Sequence, residues 1–175
     1  VSDKEASLVI LGSIGLQGIR LANPTLGETF LVSGLGLIGI LTSQLLLAQG
    51  CKVIGLDIDQ AKCDLAESLG IETINLSKIS DPTSFISNKT NNLGVDGVII
   101  TAQTKSSEPI HLAAKACRQR GRIILVGVTG LELNRDLFYI LSNYWALFPD
   151  HVVFLGNKPL IVNHLNQLDF LDHDQ

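Results

Sequence analysis

The stretch LVSGLGLIGILTSQLLLAQGCKVIGLDID, residues 31–59, decides the fold because it reads as a strand, a glycine-rich turn, a helix and a second strand. The spacing G-x-G-x-x-G occupies residues 34–39 and directly follows an apolar, β-forming run. The apolar segment 37–49 has helical length, and Gly50 stands where a helix commonly ends. Two strands joined through a helix predict a parallel β-α-β unit.

The rest of the chain continues this alternation. A capping-box pattern opens a first helix over 2–22, and the pair Asn23-Pro24 ends it. Apolar runs predict strands at 29–33, 52–57, 72–76, 94–102 and 121–128. The intervening segments predict helices at 37–49, 60–70, 81–90 and 108–120. Because the strands are apolar along their length, we predict an α/β fold with a doubly wound parallel sheet, in a single domain.

Composition limits the partners that the chain can bind. Its 175 residues suffice for one well-packed domain, and its net charge of -4 argues against nucleic acid and anionic membranes as partners. No apolar run reaches membrane-spanning length and the first ten residues lack a cationic start, so we expect a cytoplasmic protein. Cys51, Cys63 and Cys117 lack disulfide or metal-site spacing, so we expect buried, reduced thiols.

The glycine-rich turn has the features of a phosphate-binding turn. Gly34 permits a tight connection from strand to helix, Gly36 carries no Cβ to block a pyrophosphate, and Gly39 lets the helix lie close to the sheet. The amino end of the following helix offers unpaired N–H groups to an anion. The position between a strand and a helix favours a dinucleotide site over a glycine turn in an α/β domain that binds nothing.

Asp57 predicts which dinucleotide is bound. It ends the second strand about twenty residues after the glycines, where a carboxylate accepts hydrogen bonds from the adenosine ribose. A carboxylate repels a 2′-phosphate, and no arginine follows it among Ile58, Asp59 and Gln60, so we expect NAD rather than NADP. Lys62 either reaches the same ribose or is solvated.

Two patterns leave alternatives open. One is a row of glycines in the first helix, which we interpret as a close-packing surface in preference to a place beside the cofactor: Gly12, Gly15 and Gly18. The other is a basic group, which we interpret as cations at a helix carboxyl end in preference to a phosphate clamp: Lys115, Arg118, Arg120 and Arg122.

Three segments carry a resemblance to a known family: TLGETFLVSGLGLIGILTSQLLLAQGCKVIGLDIDQAKCDLAESLG, GVDGVIITA and GRIILVGV. Together they resemble the coenzyme-binding domain of the medium-chain dehydrogenase/reductase superfamily, the zinc-type alcohol dehydrogenases. The stretch ITAQTKSSEPIHLAAKACRQRGRIILVGVTGLELNRDLFY is similar to a bacterial subgroup that fuses this unit to a second oxidoreductase domain. The resemblance covers residues 5 to 139. It implies a Rossmann fold, a linking helix over 1–24, an NAD-binding domain over 25–139 and a divergent tail over 140–175.

The resemblance also implies which residues contact the cofactor. The pyrophosphate contacts would be Gly34, Gly36, Leu37, Ile38 and Gly39, and the adenosine contacts would be Asp57, Ile58 and Lys62. Thr101 and Ala102 would end the fourth strand against the cofactor, with Val126, Gly127 and Val128 beside the nicotinamide. Gln103 departs from the family, in which a glycine usually follows the fourth-strand segment.

The family's catalytic half, a GroES-like domain that supplies zinc ligands, has no counterpart in these 175 residues. The histidines lack metal-ligand spacing: His111, His151, His164 and His173. Tyr139 and Tyr144 lack a lysine at the spacing of a short-chain dehydrogenase pair. We therefore expect no catalytic residues and no zinc in this chain. The segment HVVFLG in the tail suggests an edge strand, and thus a homodimer.

Two functions remain as hypotheses. The first is the NAD(H)-binding half of an alcohol or polyol dehydrogenase, active only with a catalytic domain supplied in cis or in trans. The second is a stand-alone NAD-binding or redox-sensing module without catalysis, or a truncated remnant. A methyltransferase is a weaker third alternative, because SGLGLIG lacks the acidic residue that usually precedes the glycines of those enzymes.

Overall fold

Five parallel strands form one sheet in the computed structural model, which describes residues 1–127 and residue 129. In chain order they are β1 (Thr29–Ser33), β2 (Lys52–Asp57), β3 (Glu72–Asn75), β4 (Val95–Ile100) and β5 (Cys117–Leu125). Their order across the sheet is β3-β2-β1-β4-β5, so the chain builds outward from β1 in both directions. This arrangement confirms the predicted doubly wound α/β fold.

Helices precede the sheet and connect its strands. They are α1 (Asp3–Ser7), α2 (Val9–Ala22), α3 (Leu37–Ala48), α4 (Gln60–Ser68), α5 (Pro82–Lys89) and α6 (Glu108–Ala116). Gly50 and Gly70 follow α3 and α4 with positive φ angles of 84° and 82°, as the sequence predicted for glycines at helix ends. Asp59 and Asp81 accept hydrogen bonds from the first turns of α4 and α5, so side chains cap the starts of both helices.

Buried side chains lie on both faces of the sheet because successive residues of a strand point to opposite sides. Phe30 and Val32 of β1 belong to one core cluster, with Ile19 of α2 and Leu46 of α3. A second cluster covers the other face, and its members come from β1, β2, β3, β4, α5 and α6: Leu31, Ile54, Leu56, Ile74, Ile86, Val95, Val98, Ile100, Ile110, Ala113 and Ala116. Both faces are thus buried, which explains strands without polar alternation.

The first helix is interrupted, where the sequence predicted one continuous helix over 2–22. Leu8 separates α1 from α2, and its side chain is 40% exposed. Gly15 and Gly18 are buried where α2 packs on the domain: a Cβ on Gly15 would lie 3.4 Å from Thr42 Cα in α3, and one on Gly18 would lie 2.6 Å from Val126 Cγ2. These two glycines therefore serve close packing. Gly12 has open space around the position of a Cβ among the described residues.

The boundary between α6 and β5 corrects the predicted helix over 108–120. The helix ends at Ala116 and β5 begins at Cys117, which pairs with Val95 of β4. Pairing with β4 outweighs the local helix preference of the sequence CRQR, because β-structure depends more on tertiary contacts than on propensity. Cys51 and Cys63 are buried as expected, whereas Cys117 is half-buried.

Arg118, Arg120 and Arg122 consequently belong to a strand and not to a helix end, which corrects the interpretation of three members of the basic group. Lys115 lies in the last turn of α6, as predicted. Arg118 Nε donates to Asp96 Oδ1 at 2.6 Å, and Arg122 pairs with Glu28. Arg122 Nη1 also donates to the carbonyl oxygen of Ala22, at the end of α2. This ionic cluster lies at the amino end of the sheet, opposite the glycine-rich turn, so it is not a clamp for a phosphate bound at that turn.

Candidate functional site

The glycine-rich turn lies at the carboxyl edge of the sheet, at the strand where the chain reverses its direction of winding. β1 is flanked by β2 on one side and by β4 on the other, and the turn connects β1 to α3. In doubly wound folds the crevice at this switch point is where ligands bind. The ends of β1, β2, β4 and β5 therefore bring those predicted cofactor contacts that the structure describes to one edge.

Gly34 and Gly39 are required by backbone geometry. Gly34 has a φ of 100°, and a Cβ there would lie 2.7 Å from the backbone nitrogen of Ala102. A Cβ on Gly39 would overlap the carbonyl oxygen of Gly34 and lie 2.8 Å from Thr101 Oγ1. The first glycine thus permits the turn beside the end of β4, and the third lets α3 begin against the turn.

Gly36 differs from its neighbours because its missing side chain faces open space. Apart from Gly36 itself and its two chain neighbours, no described residue has an atom within 4 Å of the position that a Cβ would take, and Gly36 is exposed. It is also the residue that caps the amino end of α3, whose first turn contains no acidic side chain. Leu37 follows and is 52% exposed, while Ile38 is half-buried. The surface above Gly36 can therefore admit an anionic group onto the free N–H groups of α3.

Asp57 is buried at the end of β2 and is joined to the glycine-rich turn. Its Oδ2 atom accepts a hydrogen bond from the backbone N–H of Leu35 at 2.8 Å, and its Oδ1 atom accepts one from Asp59 at 2.9 Å. The side chain is 8% exposed, and Lys62 Nζ lies 3.8 Å from Oδ2. Each carboxylate oxygen keeps a second lone-pair direction, so Asp57 can still accept hydrogen bonds from a ribose. Ile58 follows it and is 69% exposed, which suits a flat apolar ligand surface.

Leu35 is a part of the turn that the sequence reasoning missed. Its side chain is fully buried, and it occupies space that is free because Gly55 of β2 has no side chain: a Cβ on Gly55 would lie 2.7 Å from Leu35 Cδ2. A glycine inside a strand often marks a close approach by another part of the chain, so Gly55 was the available signal. Burial of Leu35 anchors the turn while its N–H binds Asp57.

Thr101 and Ala102 follow β4 and contact the turn directly. The backbone N–H groups of both residues donate to the carbonyl oxygen of Ser33 at 2.9 Å. The Thr101 hydroxyl donates to the carbonyl oxygen of Gly34 at 2.6 Å, and Thr101 Oγ1 lies 3.2 Å from the carbonyl oxygen of Ser33. The turn is thus bound along its length to the end of β4. Gln103, which stands where the family usually has glycine, is exposed.

The segment that follows β5 runs beside the end of β4, on the side away from β1. The backbone N–H groups of Val126 and Gly127 both donate to the carbonyl oxygen of Ile100 at 2.9 Å. A Cβ on Gly127 would lie 2.8 Å from the carbonyl carbon of Thr101, so only glycine lets this segment run so close to the end of β4. Val128, the third predicted nicotinamide contact, lies outside the described residues.

The described residues contain no group of three histidine, cysteine, aspartate or glutamate side chains arranged to hold a metal ion. His111 is exposed on α6. The remaining residues of these predictions lie outside the described residues: His151, His164, His173, Tyr139, Tyr144 and the tail over 140–175 with its segment HVVFLG. Among residues 1–127, no helix has the length and apolar character that crossing a membrane requires.

Comparison with known proteins relates the chain to zinc-type dehydrogenases. A family model described as a zinc-binding dehydrogenase matches residues 38–153. An alcohol dehydrogenase of Geobacillus stearothermophilus is 26% identical over 141 residues, which cover 81% of this chain and 41% of that protein. A putative D-xylulose reductase of Agrobacterium fabrum is 35% identical over 131 residues, which cover 73% of this chain and 36% of that protein.

Solved structures agree with these matches. Galactitol-1-phosphate dehydrogenase from Escherichia coli superposes with a TM-score of 0.69 at 25% identity, covering 82% of this chain and 42% of that structure. The 2R,3R-butanediol dehydrogenase of Bacillus subtilis gives a TM-score of 0.71 at 23% identity, covering 80% and 40%, and supports the fold alone. The chain spans about two fifths of the length of the relatives that it matches.

Proposed function

Because the chain belongs to the zinc-binding dehydrogenase family, we propose that it is the NAD(H)-binding unit of an alcohol or polyol dehydrogenase-like oxidoreductase. The observation that carries this proposal is the pairing of an open Gly36 with a buried Asp57 at one edge of the sheet. Gly36 leaves room for the pyrophosphate, and Asp57 offers its carboxylate to the adenosine ribose. The two features together fit a dinucleotide, because each would bind a different part of it.

The predicted cofactor contacts keep their roles in this proposal. Gly34, Gly36, Leu37, Ile38 and Gly39 form the pyrophosphate turn, and Asp57, Ile58 and Lys62 surround the adenosine. Thr101, Ala102, Val126, Gly127 and Val128 form the side of the nicotinamide. Bound at this edge, the nicotinamide would exchange a hydride with an alcohol or carbonyl substrate.

NAD is the favoured cofactor because of the charge at the ribose position. Asp57 already accepts two backbone N–H groups, and these bonds hold its carboxylate at the end of β2. A 2′-phosphate would bring a second negative group against this carboxylate. Lys62 lies 3.8 Å from Asp57 and offsets part of that repulsion, so the preference for NADH over NADPH rests on the balance of these two groups.

A catalytic domain must complete the enzyme, either in the same polypeptide or in a partner. The chain spans about two fifths of the length of its relatives. Family resemblance implies a GroES-like domain that supplies the zinc ligands, and in this proposal that domain also binds the substrate. In this proposal residues 1–24 link the two halves, 25–139 bind NAD(H), and 140–175 form a tail that pairs two copies in a homodimer. In this proposal the nicotinamide half of the site is covered by the catalytic domain, so we expect weak NADH binding and no turnover without that other half.

Calorimetric titration of NADH into the purified chain tests this function. We expect saturable NADH binding, weaker NADPH binding, and a loss of affinity in the variant Asp57→Ala. Asp64→Ala is the matched control, since it removes one carboxylate from the exposed surface of α4. Absence of NADH binding at millimolar concentration would favour the truncated remnant, and alcohol oxidation by the chain alone would contradict the need for a second domain.

A further inference from the structure

One peptide group of the glycine-rich turn is held at both of its ends by side chains from different strands. The peptide that joins Gly34 to Leu35 donates its N–H to Asp57 Oδ2 at 2.8 Å, and its carbonyl oxygen accepts the Thr101 hydroxyl at 2.6 Å. Asp57 ends β2 and Thr101 follows β4, the two strands that flank β1. Rotation of this peptide would therefore break both hydrogen bonds at once.

The Thr101 hydroxyl is committed to the turn. A threonine hydroxyl has a single proton to donate, and Gly34 is its nearer acceptor. Its Oγ1 atom also lies 2.8 Å from the position that a Cβ on Gly39 would take, so it packs at the point where α3 meets the turn. The side chain faces the interior of the turn, between β4 and the start of α3.

We propose that Thr101 is a positioning residue that orients the peptide between Gly34 and Leu35 for dinucleotide binding, and that it acts through this peptide without touching the dinucleotide. This inference rests on the proposed function and revises it at one residue: Thr101, placed there on the side of the nicotinamide as family resemblance implies, acts on the turn instead. Because the same peptide binds Asp57, the hydroxyl also holds the ribose-binding carboxylate in place. One hydroxyl thereby couples the pyrophosphate side of the site to its adenosine side.

The test compares variants that differ in one hydroxyl. Thr101→Val keeps the branched shape and removes the donor, while Thr101→Ser keeps the donor. Thr90→Val is the control for loss of a threonine hydroxyl near the opposite end of β4: this hydroxyl donates to the carbonyl oxygen of Ile86 at 2.8 Å and accepts the Gly94 N–H at 3.1 Å. Should Thr101→Val not fold, Thr101→Ala supplies the variant without a hydroxyl.

The first readout is hydrogen exchange of the Leu35 amide, measured by NMR in the full chain without ligand. In Thr101→Val the exchange rate of the Leu35 amide should rise more than the average exchange rate of the protected amides. The reason is that the carbonyl end of the same peptide loses its hydrogen bond to Thr101. In Thr101→Ser and Thr90→Val the exchange of the Leu35 amide should change no more than the average of the protected amides. A general loss of stability would instead quicken exchange across the sheet.

The second readout is NADH affinity. Thr101→Val should weaken NADH binding about threefold to tenfold, the effect of one lost hydrogen bond. Thr101→Ser should stay within about twofold of the unsubstituted protein. The inference is overturned if Leu35 exchange does not respond, or if NADH binding weakens while Leu35 stays protected, since the hydroxyl would then touch the dinucleotide itself. If the unsubstituted protein binds no NADH, the proposed function fails, whatever the exchange data give, and the assigned role in binding falls with it.

Discussion

Two glycines of the same turn should respond in opposite ways to the same small change, the addition of one methyl group. Gly39→Ala should destabilise the fold, whereas Gly36→Ala should leave stability unchanged and weaken NADH binding. The two residues lie three positions apart: Gly36 caps the amino end of α3, and Gly39 lies in its first turn. The two variants therefore carry the same substitution at nearly the same place. The contrast separates a glycine needed for packing from one needed for the ligand.

The magnitude for Gly39→Ala follows from what the new methyl group would meet. It would overlap the carbonyl oxygen of Gly34 and lie 2.9 Å from the carbonyl carbon. A backbone group cannot rotate away, so α3 must move from the turn at an overpacking cost of about 3 kcal/mol. Alanine gains about 1 kcal/mol over glycine inside a helix. The free energy of unfolding should therefore fall by about 2 kcal/mol, a large fraction of the stability of a small domain.

For Gly36→Ala the methyl group meets no described atom within 4 Å, and the residue has an ordinary φ of -69°. Loss of chain entropy in the unfolded state favours alanine by about 0.4–1 kcal/mol. Alanine is a poorer helix cap than glycine by a similar amount, so the net change should be within about 0.5 kcal/mol. The methyl group would stand where the pyrophosphate approaches, and we expect NADH affinity to fall at least about tenfold, or about 1.4 kcal/mol.

Urea denaturation measures the first quantity and calorimetric NADH titration the second, on both variants and the unsubstituted protein. Equal NADH affinity in Gly36→Ala would refute the assignment of the open space above Gly36 to the pyrophosphate. An unchanged midpoint of unfolding in Gly39→Ala would refute the close contact between α3 and the turn. A loss of stability in both variants would mean that the turn has no free side and that its glycines serve packing alone.

Three further predictions concern the rest of the domain. In α2, Gly15→Ala should lower the free energy of unfolding by about 1 kcal/mol through its clash with α3, whereas Gly12→Ala, in open space, should raise it by up to about 1 kcal/mol in the same urea assay. Burial raises the pKa of Asp96, but a backbone N–H and the Arg118 guanidinium outweigh it and lower that pKa, so Asp96 stabilises the fold above about pH 4. The difference in unfolding free energy between the unsubstituted protein and Asp96→Asn should shrink as the pH falls below that value, and a pH-independent difference would contradict the ion pair. Burial raises the pKa of the Cys117 thiol to about 11, so iodoacetamide should modify it slowly at pH 8 in the folded chain and rapidly in denaturant, as mass spectrometry can follow.

Much of the fold could be predicted because its local patterns are strong. The strands at 29–33 and 52–57 were predicted with the bounds that the structure has, since apolar runs bounded by glycine, proline and charge mark them clearly. The predicted helix over 108–120 was wrong beyond Ala116, where pairing of Cys117 with Val95 overrides local preference. Strand pairing depends on residues distant in sequence, so propensity alone could not locate that boundary.

The candidate site likewise combines residues that local sequence patterns identify with a contact that they do not. Gly34, Gly36 and Gly39 and the carboxylate of Asp57 could be identified from spacing, because the turn and the end of β2 are local features. The burial of Leu35 could not, since it depends on Gly55 in the neighbouring strand.

By itself the sequence determined the order of strands and helices, the place of the glycine-rich turn and the acidic residue that ends β2, because periodicity and glycine act over a few residues. Only the tertiary structure decided that Asp57 and Thr101 hold the two ends of one peptide. Their hydrogen bonds to the turn span 22 and 67 residues of sequence. Such contacts form because β2 and β4 pair on either side of β1, and this pairing is set by burial of both faces of the whole sheet.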